Sequence, residues 1–219
     1  MSLPELTWRF AREALPFFVG LLAIAATAWA LGWPLVALGS LLAAFLALAF
    51  FRDPERRTHA DPGVVLAPAD GRVVRVLSPA QGRGAVISIF LSIFNVHINR
   101  VPVSGQVVAV EQSPGGFKPA FREDASERNA HVAVRIETPW GIVECVQIVG
   151  LLARRIVCRL KPGDRIEAGQ RYGLIQFGSR VDVRLPATAA VLVEIGRRTR
   201  AGVTVLAHLG GDAPRGAAV

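Results

Sequence analysis

From Ala14 to Phe51 the chain carries no charged residue, an apolar run of 38 positions. That is long enough for two membrane crossings of about 18 residues each or for one deeply embedded hairpin. Gly32-Trp33-Pro34 interrupts the run near its middle, as a turn would. Arg9 and Arg12 precede it and Arg52, Arg56 and Arg57 follow it, while the central turn has no basic residue. The positive-inside rule therefore puts both ends on the cytoplasmic side. Trp29, Trp33 and the phenylalanine pairs at 17–18 and 50–51 stand where interfacial aromatics are expected. Ala28-Trp29-Ala30 has the spacing of a signal-peptidase site, but the chain continues into a second apolar stretch, which argues against cleavage. Pro54, in Phe51-Arg52-Asp53-Pro54-Glu55-Arg56-Arg57, ends the helical pattern among mixed charges suited to a headgroup layer.

After Val64 the period changes. Short apolar stretches separated by Gly, Pro, Asp and Asn recur at 64–67, 72–77, 85–94, 106–110, 131–137, 142–149, 155–160, 173–177, 181–185, 190–195 and 203–207. Such spacing, with little helical periodicity, predicts a mainly β sandwich or barrel. Ser113 to Asn129 is a polar, Gly/Pro-rich excursion of the length of a functional loop. From Lys161 the glycines at 163, 169, 173, 196 and 202 alternate with short strands, a cadence similar to lipoyl- and biotinyl-carrier β modules. The carrier lysine is missing, and Gly178-Ser179 occupies a strand junction instead. The expected organisation is a membrane hairpin with its exit segment over 1–57, a β-rich domain over 58–209 and a disordered Gly/Ala/Pro tail over 210–219.

Composition fits one domain plus a membrane segment: 219 residues are 52% hydrophobic, with mean hydropathy +0.40. The net charge of +8 lies entirely from Arg52 onward, where 23 Lys and Arg face 15 Asp and Glu. A basic domain beside a membrane segment favours anionic lipid as partner. No recognition helix, zinc spacing or RNA-binding motif points to nucleic acid, and no metal-ligand cluster or dinucleotide fingerprint appears. Cys145 and Cys158 lie in apolar β-branched runs and read as buried reduced thiols.

Candidate chemistry gathers around Arg171 to Pro186, where two strands meet at Gly178-Ser179. Glycine permits a close backbone approach, and serine brings a hydroxyl beside an exposed peptide carbonyl. Those are the requirements for an internal acyl shift that ends in a pyruvoyl group, an electrophile able to form a Schiff base. In Pro68-Ala69-Asp70-Gly71 a carboxylate on a turn can orient a histidine. In Ser92 to Pro102, read as a strand, period two puts Asn95, His97 and Asn99 on one face, with Arg100 next. Histidine is the natural general base for a serine hydroxyl. Glu127-Arg128-Asn129 and His131 follow the long loop, and Arg154-Arg155 offers two cations to a phosphate.

Phe51-Arg52-Asp53-Pro54, Pro68-Ala69-Asp70-Gly71, Asn95 to Arg100, Glu127-Arg128-Asn129, Gly150 to Arg155 and Phe177-Gly178-Ser179-Arg180-Val181-Asp182 together resemble the short bacterial and archaeal type of phosphatidylserine decarboxylase. The motifs stand in the family's order over nearly the whole chain. The resemblance implies a proenzyme that cuts itself between Gly178 and Ser179 into a β chain, 1–178, and an α chain from 179 that begins with the self-derived pyruvoyl group. It implies decarboxylation of phosphatidylserine to phosphatidylethanolamine at the cell membrane, with the catalytic domain on the cytoplasmic side; a homodimer is left open. Asp70 and a histidine would assist self-cleavage, and His97 would protonate the product; Asn95, Asn99, Arg100, Arg154 and Arg155 are the expected substrate contacts. The chain departs from the long form, which has two histidines three apart, because position 100 is Arg. Either His97 does both jobs or the self-cleavage base differs. Alternative readings are a pyruvoyl decarboxylase of another amine-bearing acid and a non-enzymatic membrane-tethered carrier-like scaffold.

Overall fold

The computed structural model describes residues 9–58, 60–79, 84–117, 128–150, 155–176 and 179–210. The chain divides into two compact units, Met1–Glu55 and Arg56–Val219.

In the first unit, strand β1 (Arg9–Phe10) leads into helix α1 (Leu15–Ala30), and helix α2 (Pro34–Phe50) leads out into β2 (Arg52–Asp53). β1 and β2 pair antiparallel, so the two helices return on each other as a hairpin. Pro16 and Pro34 occupy first-turn positions, where a missing N–H costs nothing. Gly32, at φ +73°, closes the connection, with Gly32 N donating to Trp29 O and Trp33 N to Ala28 O. Apart from Phe50 at the end of α2, the buried positions are small: Ala25 and Ala28 on α1, and Ala37, Ser40 and Ala44 on α2. Larger apolar side chains, among them Ile24, Trp29, Leu35, Leu38 and Phe45, are exposed. Small residues at the helix contact allow close backbone approach.

The second unit is mainly β, with a curled sheet. Its strands are β3 (Val64–Leu66), β4 (Gly71–Leu77), β5 (Val86–Leu91), β6 (Ile98–Arg100), β7 (Gly105–Ser113), β8 (His131–Thr138), β9 (Gly141–Ile148), β10 (Ile156–Cys158), β11 (Arg165–Ile166), β12 (Arg171–Ile175), β13 (Ser179–Arg184), β14 (Ala190–Val191), β15 (Arg198–Thr199) and β16 (Val205–His208). The large sheet has eight strands in the order β11-β7-β8-β9-β13-β5-β4-β15. Two three-stranded sheets, β10-β12-β6 and β14-β16-β3, accompany it, and these strands pair antiparallel. The main core is filled from all three by residues such as Val65, Ile87, Ile89, Val134, Val143, Tyr172, Val181 and Leu206.

The expected strand over 85–94 is shorter than its apolar run. β5 stops at Leu91 because Asn95 Oδ1 accepts from both Ser92 N (2.9 Å) and Ser92 Oγ (2.7 Å), which closes a turn over 92–95. The single polar stripe over Asn95, His97 and Asn99 is therefore corrected: Asn95 lies in the turn, His97 precedes the next strand, and Asn99 alone is in β6. The excursion after Ser113 is pinned at its base by an isolated bridge between Gly116 and Asn129. The expectation of a disordered tail falls, from 211 onward, outside the described residues.

Among the described residues both cysteines are free. Cys145 is fully buried on β9, with Sγ 3.2 Å from the Tyr172 hydroxyl. Burial pushes its pKa up to about 12, and the same cause, loss of water, raises Tyr172. Both groups are held neutral, so their contribution to stability is complete below their unfolded pKa values and is lost as pH rises through the folded ones. Thermal melts should therefore weaken from about pH 9 upward. Cys145→Ala, costly at neutral pH, should show a smaller further loss across that interval than the parent chain.

Candidate functional site

β13 is the strand with Ser179 at its head, and it runs between β9 and β5, pairing with both. Period two sends Ser179, Val181 and Val183 to one face and Arg180, Asp182 and Arg184 to the other. The valines enter the main core, and Ser179 shares that face with no exposed surface. Its Oγ is buried and, among the described residues, accepts and donates no hydrogen bond. Val181 stands opposite Gln147, so Gln147 belongs to the same face, diagonal to Ser179 at a typical separation of roughly 7–8 Å. Gln147 is fully buried, and its Nε2 donates to Asn99 Oδ1 at 2.8 Å. Ser179, Gln147 and Asn99 thus line one inner face.

His97 reaches this end of the fold through the small sheet. Its backbone O accepts from Ile175 N at 3.4 Å, at the end of β12 and four positions before Ser179. The ring is 2% exposed, and Nδ1 lies 2.9 Å from Asn95 O. A carbonyl only accepts, so in the neutral ring the proton sits on Nδ1 and Nε2 keeps its lone pair. The tight turn at Ser92 and Asn95 therefore has a chemical consequence: its carbonyl selects the histidine tautomer.

Asp70 has other partners than a histidine. Arg56 grips both its oxygens, Nη2 to Oδ2 at 2.7 Å and Nη1 to Oδ1, and Ala201 N donates to Oδ1 at 2.8 Å. The two side chains are only 11% and 13% exposed. Arg56 also donates to Ala201 O at 2.8 Å, tying the carboxylate turn to the loop before β16. The neighbouring Pro68 O accepts from Arg100 N (2.9 Å) and, at 3.5 Å, from Asn99 Nδ2, so the Asp70 turn runs beside β6. Gly71 opens β4 at φ +158°, and a Cβ there would lie 2.1 Å from Phe90 O. The arginine at position 100 is buried and turned toward Gly169, donating from Nη1 to Gly169 O at 3.0 Å.

Arg155 is exposed, and its backbone O accepts from Gln176 N at 3.2 Å, which sets it at the same end of the small sheet as His97. Asn129 is buried and donates from Nδ2 to Val149 O at 2.8 Å, while its own O lies 2.9 Å from His131 Nδ1. Gly178, Arg154 and Glu127 lie outside the described residues.

Three features escaped the sequence reading. Gln147 was visible as a polar residue in phase with Cys145 and Val149, at a core position. Arg56, among mixed charges after the apolar run, reads from sequence as a headgroup charge. Arg180 and Asp182 alternate as solvent-facing charges would, yet they are 1% exposed and paired side-on, Nε to Oδ1 at 2.6 Å and Nη2 to Oδ2 at 2.9 Å.

Comparison with known proteins decides what this arrangement belongs to. The family model described as phosphatidylserine decarboxylase matches residues 43–207. The chain belongs to that family. It is 47% identical over 206 residues to the phosphatidylserine decarboxylase proenzyme of Cupriavidus pinatubonensis, covering 91% of this chain and 94% of the relative. The proenzyme of Streptomyces griseus is 46% identical, covering 90% and 92%, and that of Mycolicibacterium gilvum 52%, covering 74% and 73%. Decarboxylase relatives over most of the chain leave the carrier-like scaffold without support.

The Arg56–Asp70 pair is buried enough to matter energetically. Removing either partner from such a pair leaves a charge unpaired and costs about 3 kcal/mol or more. In denaturant titrations, Arg56→Ala and Asp70→Ala should each lower stability by that amount, and the double variant by clearly less than their sum. Strict additivity would show that the two groups act independently.

Proposed function

We propose that this chain is a phosphatidylserine decarboxylase made active by cutting itself between Gly178 and Ser179. The observation that carries the reading is Ser179 itself: a fully buried hydroxyl, with no described partner, at the head of the central strand of a family proenzyme. A buried hydroxyl left without a partner is costly, and such groups ask for an explanation.

In self-cleavage Ser179 Oγ attacks the Gly178 carbonyl carbon, the peptide C–N bond breaks, and an ester joins the two halves. Loss of the Ser179 α-proton then breaks the Cβ–O bond, freeing the carboxylate of Gly178, and water releases ammonia from the dehydroalanine to leave a pyruvoyl group. The site suits that product, because its place on an inner face beside Leu91 and Val181 is dry. A pyruvoyl group supplies an electrophilic carbonyl that withdraws electrons from the α-carbon of a bound amine.

His97 moves the protons. With Nδ1 committed to Asn95 O, Nε2 is the atom that accepts a proton and later returns one to the substrate carbon after carbon dioxide leaves. Asp70 acts by fixing the turn beside β6, with Arg56 neutralising its charge; Asn99, Asn95, Arg100, Arg154 and Arg155 complete the substrate-binding set. Processing leaves the two chains interleaved, since β13 pairs with β5 and β9, β15 with β4, and β16 with β3. In this reading the half from Lys161 is a carrier-like module, supported by positive-φ glycines at 163, 169, 196 and 202 between short strands. The helical hairpin is a membrane anchor: Arg12–Ala30 is long and apolar enough to cross, and the basic residues at both ends put the β unit on the cytoplasmic side.

Ser179→Ala should remain a single 23.4 kDa chain without decarboxylase activity, read by intact mass and carbon dioxide release. A cut, active Ser179→Ala protein would sink the mechanism. His97→Ala should lose at least about a hundredfold in turnover once processed, the usual scale for removing a general acid. Normal turnover in processed His97→Ala protein removes that residue from the site.

A further inference from the structure

The turn that fixes His97 also carries the most exposed large apolar side chain among the described residues of the β unit. Phe94 is 80% exposed and its neighbour Ile93 47%, yet Val96 and His97 fall to 6% and 2%. The turn is held by the two hydrogen bonds from Ser92 to Asn95 Oδ1, so the apolar pair is displayed on a closed turn rather than a loose loop. Its place in the sheet is decisive. Leu91, the last residue of β5, stands directly opposite Ser179, and the turn begins at the next residue. Ser113, His131, Ile148 and Arg180 pair in register at this same end of the sheet, and Phe117, 44% exposed, follows Ser113 by four positions. The exposed Arg155 lies at the end of the small sheet where His97 meets Ile175.

A two-residue apolar point, at the same end of the fold as the exposed Arg155, is too small for a stable protein interface, which needs on the order of 800 Å² from each partner. It suits the interfacial layer of a bilayer, where aromatic rings are favoured and cations meet anionic headgroups. We propose that Ile93 and Phe94 insert into the anionic bilayer and seat the Ser179 end of the sheet on its lipid substrate. The proposal rests on the reading of the chain as a phosphatidylserine decarboxylase, and it assigns membrane contact to the catalytic unit itself. Burying a phenylalanine and an isoleucine in the interface changes the effective encounter with membrane-bound substrate by at least about tenfold.

The test uses the full-length protein reconstituted in vesicles of phosphatidylcholine and phosphatidylserine. Phe94→Cys carries an environment-sensitive dye in a Cys158→Ser background, Cys145 being too buried to react. Ile142→Cys, exposed near the opposite end of β9, carries the same dye as control. Lipids bearing a quencher in their upper acyl chains should quench the dye at 94 and leave that at 142 bright. In parallel, the Ile93→Ser/Phe94→Ser protein should show a vesicle KM raised about tenfold with kcat unchanged, and parental activity on monomeric short-chain phosphatidylserine. An unquenched dye at 94, or a vesicle KM equal to the parent's, overturns the proposal. If the serine variant fails to process itself, the quenching result decides alone. A parent chain that releases no carbon dioxide from phosphatidylserine would instead overturn the functional reading, and the quenching result would still report whether the turn enters the bilayer.

Discussion

The rest of the β unit depends on one insertion, the six residues from Ser179 to Arg184 lying as a strand between β9 and β5. A strand with neighbours on both edges and buried side chains on both faces has no freedom to slip, because a one-residue shift would exchange Val181 and Val183 for Arg180 and Asp182. The side-on ion pair between Arg180 and Asp182 makes the second face tolerable: each charge is satisfied by the other, beside the small cluster of Ala133, Val146 and Ile148. Register is thus specified by the apolar fit of Val181 and Val183, and the ion pair within the strand makes burial of the other face tolerable. The hydroxyl at the head of the strand inherits that exactness of placement, which the proposed self-cleavage would need of its nucleophile.

Insertion also shows how a chain cut before Ser179, as proposed, would stay whole. The residues beyond the junction supply β13 to β16, and three of those four strands are hydrogen-bonded to strands from before it. The proposed cleavage would remove one covalent link from a sheet whose pairings cross the junction repeatedly. The new terminus would be constrained by the pairing of Ser179 with Leu91.

What the sequence made legible follows from which interactions are local. The apolar run and its Gly32 turn, the change to short β stretches after Val64, and the motifs placing the chain in its family depend on composition and near neighbours. The break in the expected 85–94 strand was hidden because the side chain that makes it, Asn95, fits an alternating pattern and acts by capturing Ser92. The partner of Asp70 was hidden for a different reason. Arg56 sits among mixed charges after an apolar segment, and nothing within a few residues distinguishes a headgroup cation from one that folds back onto a carboxylate. Gln147 and the Arg180–Asp182 pair show the same limit: periodicity predicts the face of a strand, while the burial of that face is set by strands far away in sequence.

The departure at position 100 gains a physical context from these contacts. The side chain there is buried against Gly169, and the Asp70 carboxylate is already neutralised by Arg56. Both Asp70 oxygens are engaged by the Arg56 guanidinium, and the carboxylate turn runs beside β6. In the proposed mechanism proton transfer would fall to His97, whose Nδ1 faces a carbonyl that can only accept. The turn over 92–95 accordingly does two things with one set of hydrogen bonds. It presents Asn95 O to the imidazole on the inside, and it turns Ile93 and Phe94 outward on the opposite side of a few ångströms of backbone. If both proposals hold, tautomer control and membrane contact are coupled through this turn, so a change that loosens Ser92 or Asn95 would act on the chemistry and on lipid engagement together.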